Sequence, residues 1–477
     1  MRKVQLLLLL LFIGCSVHPL VDPVKGNMST VHKINTAIKK SGLETNMGIH
    51  IISAKSGKTI YNLNIHHLFN PASNNKIYTA TAALKFLTTN YQFITTAWIP
   101  KDEINASHIS RLVLKGDGDP DFSLEDLDTL TQWIASKINS IDTIIVDNSK
   151  IDSVHYGEGW MWDEGSAWYA AQIDGLSLND NCIDLHISGN EIGEAPHVDI
   201  IPNTNYVEII NQAITVNDTL DFEELDISRH WWNASNIIEI NGEFLMEEPD
   251  TVLYYRNVHN PALFTGTVLK EMLEQKGVQI AGPVVHGLIK SDDVVIASHA
   301  ADPFHKSLSN FLKQSDNLSG ELYIKLIGNL ITNNPGSWND GLHATRLFFQ
   351  DEVGLDTTSF SYVDGSGVSR YNYSSPAHFT HLLQWVYKND LYRKDFMEAL
   401  PTGGWDGTLE SRMTGDDSGK YIHAKTGTLS GASCLSGFIY PPNGEPLIFS
   451  ILMNGYVGDA KPYRDLQDEI CRILVQQ

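Results

Sequence analysis

The chain has 477 residues and a formal net charge of −23, with 34 Lys and Arg against 57 Asp and Glu. Nucleic-acid binding needs clustered Lys and Arg to contact the phosphates, so this balance argues against a nucleic-acid partner. The length allows two or more domains with ample buried core, and a hydrophobic content of 42% is ordinary for a globular protein.

The N-terminus has the pattern of an export signal. Two basic residues, Arg2 and Lys3, precede the apolar run Leu6–Ile13, which is too short to span a membrane. The run leads to Cys15 in a pattern similar to that of a bacterial lipoprotein signal, although the phenylalanine three residues before the cysteine is bulkier than usual. We predict that residues 1–15 are a signal peptide and that the protein is exported to the periplasm or cell envelope. Lipidation of the cysteine and simple cleavage are the two alternatives.

The remaining cysteines and the histidines indicate neither a disulfide framework nor a metal site. Cys182, Cys434 and Cys471 are odd in number and have no Cys-x-x-Cys spacing, so we expect buried small side chains. His66 and His67 are adjacent and would point to opposite sides of a strand. We predict no metal and no cofactor.

The first predicted elements are a helix, two strands and a second helix. The patterns predict a helix over Val31–Lys40 and strands over Met47–Ser53 and Thr59–Leu63. Apolar residues then recur at helical spacing over residues 77–87, so Ser73 is predicted to lie in the first turn of a helix. The free N–H groups and positive dipole end of that turn suit a developing oxyanion.

Short strands alternate with turns between about residues 92 and 287. The predicted strands there are Leu112–Leu114, Thr143–Val146, Cys182–His186 and Gly277–Val285, and the predicted helices are Leu127–Ile138 and Pro261–Gln275. About 190 residues is the size of a separate domain. We therefore predict one domain formed by residues 25–95 and 286–477, with residues 96–285 inserted as a mixed α/β domain.

Helices predominate after the insertion, and the chain ends in three strands and a helix. The predicted helices are Leu308–Lys313, Leu318–Ile331, Gly341–Phe349, Phe379–Val386 and Leu466–Val475, and the predicted strands are Tyr421–Leu429, Cys434–Tyr440 and Pro446–Met453. This organisation predicts an α/β fold of the α+β type.

Three short motifs carry the predicted chemistry: Ser73-Asn-Asn-Lys76, Ser315-Asp-Asn317 and Lys425-Thr-Gly. A serine hydroxyl is a weak nucleophile without a base, and Lys76 lies three residues on, on the same face of a helical turn. Burial and the second cation Lys425 would lower the pKa of Lys76 far enough for it to accept a proton. Ser315 could relay that proton to the leaving nitrogen, and Asn317 could hold a substrate amide or steady Lys76.

Side chains should alternate along the strand that contains the third motif. Lys425 and Gly427 are expected on one face, and Thr426 and Thr428 on the other. We expect Gly427 to let a substrate approach the backbone.

Each motif alone is common by chance, but the ordered set is the signature of β-lactamases and penicillin-binding proteins. The chain resembles the D-alanyl-D-alanine carboxypeptidase/endopeptidase family of penicillin-binding proteins, the peptidase S13 or class C low-molecular-mass type. Beyond the three motifs, the resemblance is carried by Gly116-Asp-Gly-Asp-Pro120, Leu178-Asn-Asp-Asn181, Asp364-Gly-Ser-Gly-Val-Ser-Arg370 and Asp406-Gly-Thr-Leu409. It implies a serine β-lactamase/transpeptidase-like domain, an antiparallel sheet flanked by helices, with a large insertion after the nucleophile helix.

The resemblance also implies roles for the motif residues. Ser73 would be acylated by the penultimate D-Ala carbonyl of a peptidoglycan stem peptide, or by a β-lactam, with Lys76 as the base. Lys425, Thr426 and Thr428 would bind the terminal carboxylate. The backbone N–H groups of Ser73 and Thr428 would form the oxyanion hole.

A second binding region is implied for the far end of a diaminopimelate side chain. The resemblance assigns it to Arg370 and to an acidic residue of the insertion, Asp163 or Glu164. The alignment does not decide between these two neighbours, and Asp163 is taken as the candidate.

Two other functions remain open. A serine β-lactamase needs a carboxylate to activate the deacylating water, and Glu352 in Glu352-Val-Gly-Leu-Asp356 is the candidate, although a compact β-lactamase has no place for the long insertion. The other alternative is a catalytically silent cell-wall-binding protein, which the complete set of reactive residues argues against. The oligomeric state is unknown from the sequence.

Overall fold

The computed structural model describes residues 28–217, 222–246 and 251–476. The helices in these ranges are α1 (Met28–Ser41), α2 (Lys76–Phe86), α3 (Leu124–Ala135), α4 (Pro261–Gln275), α5 (Phe304–Lys313), α6 (Asn317–Thr332), α7 (Trp338–Phe348), α8 (Pro376–Lys388), α9 (Asp390–Ala399) and α10 (Lys461–Val475). The strands are β1 (Asn46–Ser53), β2 (Thr59–Leu63), β3 (Ile94–Pro100), β4 (His108–Lys115), β5 (Ser140–Asp147), β6 (Cys182–Ser188), β7 (His197–Ile201), β8 (Glu208–Asn211), β9 (Ile214–Val216), β10 (Asp226–Arg229), β11 (Ile237–Asn241), β12 (Glu243–Leu245), β13 (Val252–Asn257), β14 (Gln279–Ile280), β15 (Val284–His286), β16 (Asp293–Ala300), β17 (Ile422–Leu429), β18 (Ala432–Ile439) and β19 (Leu447–Asn454).

One sheet has five antiparallel strands drawn from both ends of the chain, in the order β17–β18–β19–β1–β2. Helices α1 and α10 pack against one face, where Ile34 and Ile470 join a fully buried cluster. Helix α8 packs against the other face, and α2 and α6 join it around a larger cluster. This antiparallel sheet between layers of helices confirms the predicted fold class.

A second sheet is built from the middle of the chain. Its order is β14–β5–β4–β3–β16, with β15 also paired to β5. Helices α3 and α4 pack on it around a separate hydrophobic cluster. Three smaller sheets, β13–β6–β7, β10–β11–β8 and β12–β9, extend this region. None of the strands from β3 to β16 belongs to the five-stranded sheet.

Two of the differences between the predicted and the observed elements have a local cause. The single strand predicted over Gly277–Val285 is wrong, because two short strands flank Gly282, where a Cβ would lie 2.3 Å from the carbonyl oxygen of Asp142. Helix α3 begins before its predicted start because Ser123 and Asp126 form a reciprocal capping box there.

The predicted signal peptide and Cys15 lie outside the described residues. Within the described ranges, none of the helices combines the length and apolarity needed to span a bilayer. Cys182, Cys434 and Cys471 are buried, as expected, and each carries a free thiol.

Candidate active site

Ser73 lies in a tight 3-10 turn, Ala72–Asn75, which leads directly into α2. Ala72 has a φ of +48°, a left-handed conformation that costs energy for a residue with a Cβ. Its N–H donates to Asn70 Oδ1 at 2.9 Å, which holds the turn. At Gly367 a Cβ would lie only 2.1 Å from the carbonyl oxygen of Ala72, so this glycine lets the 364–370 loop pack on the nucleophile turn.

The ammonium of Lys76 is buried and donates to three acceptors. These are Ser73 Oγ at 3.1 Å, Asn317 Oδ1 at 2.6 Å and the carbonyl oxygen of Ser366 at 2.8 Å. Lys76 is therefore within direct proton-transfer distance of the Ser73 hydroxyl. The first two contacts follow from the predicted motifs, whereas the Ser366 carbonyl was not predicted as part of the site.

Burial lowers the pKa of Lys76 to about 8, against the opposing effects of Asp316, Asp364 and Glu321. Burial also lowers the pKa of Lys425 well below its usual range, and the charge of Lys76 lowers it further. The sequence predicted burial as a cause for Lys76, whereas the repulsion between the two lysines, which was expected to act on Lys76, is resolved in the lowered pKa of Lys425. The repulsion acts on the pair, so the two ammonium groups disfavour each other's charge.

The Ser315-Asp-Asn317 motif forms the start of α6. The carboxylate of Asp316 caps the helix by accepting from Leu318 N at 3.2 Å and Ser319 N at 2.6 Å. Both ends of the Asn317 side-chain amide form hydrogen bonds. Its Nδ2 donates to the carbonyl oxygen of Tyr169 at 2.7 Å, and its Oδ1 accepts from the Lys76 ammonium. Of the two roles left open for Asn317, the geometry supports steadying Lys76.

A buried carboxylate holds the loop that supplies the Ser366 carbonyl. Glu321 accepts from the N–H groups of Gly365 and Ser366, each at 2.8 Å, and from Trp338 Nε1 at 2.7 Å. Burial, with the nearby charge of Asp364, raises the pKa of Glu321 to about 7. Sequence reasoning missed this residue, although it lies four positions after Asn317 on α6.

Side chains alternate along β17 as predicted. Lys425 and Gly427 are buried, whereas Thr426 and Thr428 line the cleft beside Ser73. The expected reason for the glycine is corrected by the structure, since a Cβ at Gly427 would lie 2.5 Å from the carbonyl oxygen of Pro71. The glycine lets β17 pack directly on the nucleophile turn.

The cleft has a volume of about 440 Å³ and gathers residues from all three motifs. The predicted site residues that line it are Ser73, Ser315, Asn317, Arg370, Thr426 and Thr428. Among the lining residues that the prediction did not include are Trp168, Tyr169 and Thr408. The sequence signal for Thr408 was its place in Asp406-Gly-Thr-Leu409. Trp168 and Tyr169 come from the middle of the chain, where no motif marked them.

At one side of the cleft, Arg370 pairs with Glu164, with Nη2 and Oε1 3.5 Å apart. Burial raises the pKa of Glu164, and the charge of Arg370 opposes this shift. Asp163 is exposed and lies outside the lining of the cleft. Of the two acidic candidates, Glu164 rather than Asp163 therefore lines the cleft beside Arg370.

Glu352, the carboxylate considered for a β-lactamase, lies on the surface. It pairs with Lys85 at 2.7 Å and lines a separate surface depression, outside the cleft that contains Ser73. The residue is thus not placed to activate a water at the nucleophile.

The fold and this site define a serine acyl-transfer enzyme of the penicillin-binding class. The model of the D-Ala-D-Ala carboxypeptidase 3 (S13) family matches residues 30–477, and the chain belongs to that family. It is a serine D-Ala-D-Ala carboxypeptidase by family, as the resemblance in sequence implied.

Named relatives agree with this assignment. The D-alanyl-D-alanine carboxypeptidase of Actinomadura sp. (strain R39) is 30% identical over 429 residues, which cover 87% of this chain and 78% of that protein. The D-alanyl-D-alanine carboxypeptidase DacB of Haemophilus influenzae is 25% identical over 400 residues, which cover 82% of this chain and 81% of that protein. The crystal structure of penicillin binding protein 4 (dacB) from Haemophilus influenzae shares the fold, with a TM-score of 0.82 at 22% identity over 93% of this chain and 99% of that chain.

Proposed function

We propose that this enzyme hydrolyses the terminal D-Ala-D-Ala bond and D-Ala crosslinks of peptidoglycan stem peptides through an acyl-enzyme on Ser73. The observation that carries the proposal is the 3.1 Å contact between Lys76 Nζ and Ser73 Oγ inside a buried, fully hydrogen-bonded cluster. A solved complex of the Haemophilus influenzae relative with a β-lactam supports penicillin sensitivity.

The reaction begins with neutral Lys76 accepting the Ser73 proton as the oxygen attacks the penultimate D-Ala carbonyl. The backbone N–H groups of Ser73 and Thr428 stabilise the oxyanion. Ser315 gives its proton to the leaving nitrogen as the peptide C–N bond breaks and regains one from the Lys76 ammonium, so the terminal D-Ala departs as an amine and Lys76 is neutral again. Lys76 then takes a proton from the water that attacks the ester and gives it to Ser73 Oγ as the ester C–O bond breaks, which regenerates the enzyme.

The terminal carboxylate binds Lys425, Thr426 and Thr428. Two contacts position the threonines: Thr426 Oγ1 donates to Thr408 Oγ1 at 2.8 Å, and Arg464 donates to Thr428 Oγ1 at 3.4 Å. Gly427 contributes indirectly, by letting the strand approach the nucleophile turn.

The far end of a diaminopimelate side chain carries an amine and a carboxylate, which match Glu164 and Arg370. The role of Glu164 and Arg370 can be tested with two peptides, one that contains diaminopimelate and one in which the amine and carboxylate at the end of that side chain are removed. Arg370→Ala and Glu164→Gln should weaken cleavage of the diaminopimelate peptide and leave the truncated peptide nearly unchanged. Equal losses on both peptides would contradict the assignment, and Asp163→Asn serves as the neighbouring control.

We propose export to the periplasm or cell envelope, with Cys15 as the site of a lipid anchor. The basic, apolar and cysteine pattern of residues 1–15 supports this. Intact-mass measurement of membrane-extracted protein tests it. A chain that begins at Cys15 with added acyl mass agrees, and a mature N-terminus beyond the cysteine without lipid contradicts anchoring while leaving export intact.

We also propose that the chain has two domains, with the inserted one between α2 and α5. The separate hydrophobic clusters and sheets support this division. Because β3 and β16 both belong to the second sheet, the limits of the inserted domain lie near residues 94 and 300, compared with the 96–285 expected from the sequence.

Purified muropeptides provide the direct test of the activity. Incubation followed by mass spectrometry should show loss of one D-Ala from pentapeptides and cleavage of crosslinked dimers. Ser73→Ala should abolish both. Cleavage that survives in Ser73→Ala would disprove the proposed nucleophile.

A further inference from the structure

A second cavity, of about 380 Å³, opens beside the catalytic cleft and has no part in the mechanism above. Its large side chains are aromatic, namely Tyr156, Trp160, Trp162, Trp231 and Trp232, with Met161 beside them. Glu164 lines both the cavity and the cleft, so the two spaces adjoin at the side where Arg370 lies.

Glycines build the walls of this cavity. A Cβ at Gly157 would lie 2.5 Å from Trp160 Nε1, and a Cβ at Gly165 would lie 2.6 Å from the ring of Trp231. The two glycines therefore let the indoles lie directly against backbone. Trp162 and Trp231 meet edge to face, with ring centroids 4.3 Å apart and an interplanar angle of 74°.

A buried arginine joins the two chain segments that form the cavity. The guanidinium of Arg229 donates to the carbonyl oxygens of Gly165 at 3.0 Å and Ser235 at 2.8 Å, and to Asn257 Oδ1. Its backbone N–H donates to Ser166 Oγ at 2.8 Å. The segment with Trp231 and Trp232 is thus fixed to the segment around residue 165, so the cavity is preformed.

The mouth of the cavity presents indoles to solvent. Trp162 is 75% exposed and Trp232 is 58% exposed, although burying such rings is strongly favourable. Exposed aromatic groups clustered at a cavity mark a binding site better than scattered ones do.

The charged residues near the cavity indicate which kind of ligand it can bind. The exposed carboxylates of Glu158 and Asp163 flank the lining residues in sequence, and Glu164 forms the boundary with the cleft. The part of a stem peptide next to the glycan carries a free carboxylate, which the exposed charges of Glu158 and Asp163 would repel. A pyranose ring of the glycan is neutral, and its C–H faces match indole surfaces while its hydroxyl and acetamido groups reach the polar rim.

We propose that this aromatic cavity binds an N-acetylated sugar ring of the glycan strand that carries the stem peptide. The inference rests on the proposed function, because it treats the occupant as the remainder of the molecule held in the cleft. The enzyme then recognises stem peptides that are still attached to glycan in preference to free peptides.

The test compares kcat/KM for one pentapeptide with and without its attached disaccharide. The wild-type enzyme should prefer the disaccharide form by roughly tenfold, a difference of about 1.4 kcal/mol. Trp232→Ala and Trp162→Ala should remove most of that preference and leave the free peptide within about twofold. Trp133→Ala, a partly exposed tryptophan of α3 distant in sequence and outside this lining, is the matched control and should keep the preference.

Equal kcat/KM for the two substrates in the wild type would overturn the proposal. So would a tryptophan variant that loses the same factor on both substrates, since the cavity would then serve the peptide. Penicillin acylation rates of each variant check that it is folded. If neither substrate is cleaved and no penicillin adduct forms in the wild type, the proposed function itself has failed, which is a distinct result.

Discussion

Lys76 is held by acceptors from three separate parts of the chain: the nucleophile turn, the start of α6 and the 364–370 loop. The spacing of Ser73 and Lys76 is local, so the sequence predicted their contact. The Ser366 carbonyl is a backbone group whose position depends on Glu321, and no spacing rule reports such a contact.

Loss of the base should slow acylation without unfolding the protein. Lys76→Ala is expected to reduce the rate of penicillin acylation by roughly 10²–10⁴-fold, the scale of a positioned acid–base group. Stopped-flow or quenched labelling measures this rate. Acylation at the wild-type rate would show that another group is the base.

The pH profile of acylation should report the lysine. With a pKa of about 8, Lys76 becomes neutral as the pH rises, so acylation should increase with pH and level off above about 8.

Glu321→Gln should shift this profile in a defined direction. The Glu321 charge raises the pKa of Lys76, so removing it should move the rising limb to lower pH, and the altered Ser366 loop should lower the plateau. If Glu321 positions the Lys76 base, the rising part of the pH profile must shift to lower pH in Glu321→Gln. A lower maximum rate with no shift along the pH axis would indicate that Glu321 has only a structural role.

At the scale of elements, β17 packs so closely on the nucleophile turn that position 427 has no room for a Cβ. The strand and its alternation were predictable from Lys425 to Thr428, but the partner of Gly427 was not, because Pro71 is distant in sequence. The sequence pattern also could not decide between Asp163 and Glu164. The two residues are adjacent in one 3-10 turn, and the conformation of that turn determines which side chain faces the cleft.

Gly427→Ala should disturb the nucleophile without touching the cleft. The added Cβ meets backbone at 2.5 Å and cannot be relieved by a rotamer change, so we expect a loss of about 1–3 kcal/mol in stability and slower acylation. Thermal unfolding and labelling rates measure the two effects. Gly415→Ala, with no atom nearer than 4.0 Å, is the matched control and should behave as wild type.

At the scale of the whole molecule, the end of β4 meets the catalytic helices. The turn after β4 contains Gly118, where a Cβ would lie 3.0 Å from the side chain of Leu326 on α6. The sequence predicted an inserted domain over residues 96–285, and this division stays a prediction. It did not predict the pairing of β3 with β16, because the two strands are far apart in the chain and local periodicity does not report such pairing.

A buried carboxyl in that turn should make stability depend on pH. Burial, with repulsion from Asp121, raises the pKa of Asp119 from 3.8 to about 7. The folded state therefore holds this proton more tightly than the unfolded chain, and the resulting stabilisation is complete below about pH 4 and is lost as the pH rises through 7.

Asp119→Asn stays neutral and keeps an oxygen that can accept from Asp121 N. Relative to the wild type, its stability should improve steadily between pH 4 and pH 8, as measured by urea unfolding. Asp102→Asn, an exposed carboxylate, should show no such trend. A stability difference that is constant with pH would contradict the raised pKa.

The most direct test of the central claim is covalent labelling by a radiolabelled or fluorescent penicillin, followed by intact-mass measurement and peptide mapping. We expect one adduct per chain, located on Ser73, absent in Ser73→Ala and long-lived because Glu352 lies away from the cleft. An adduct on another residue, or labelling that persists in Ser73→Ala, would contradict it.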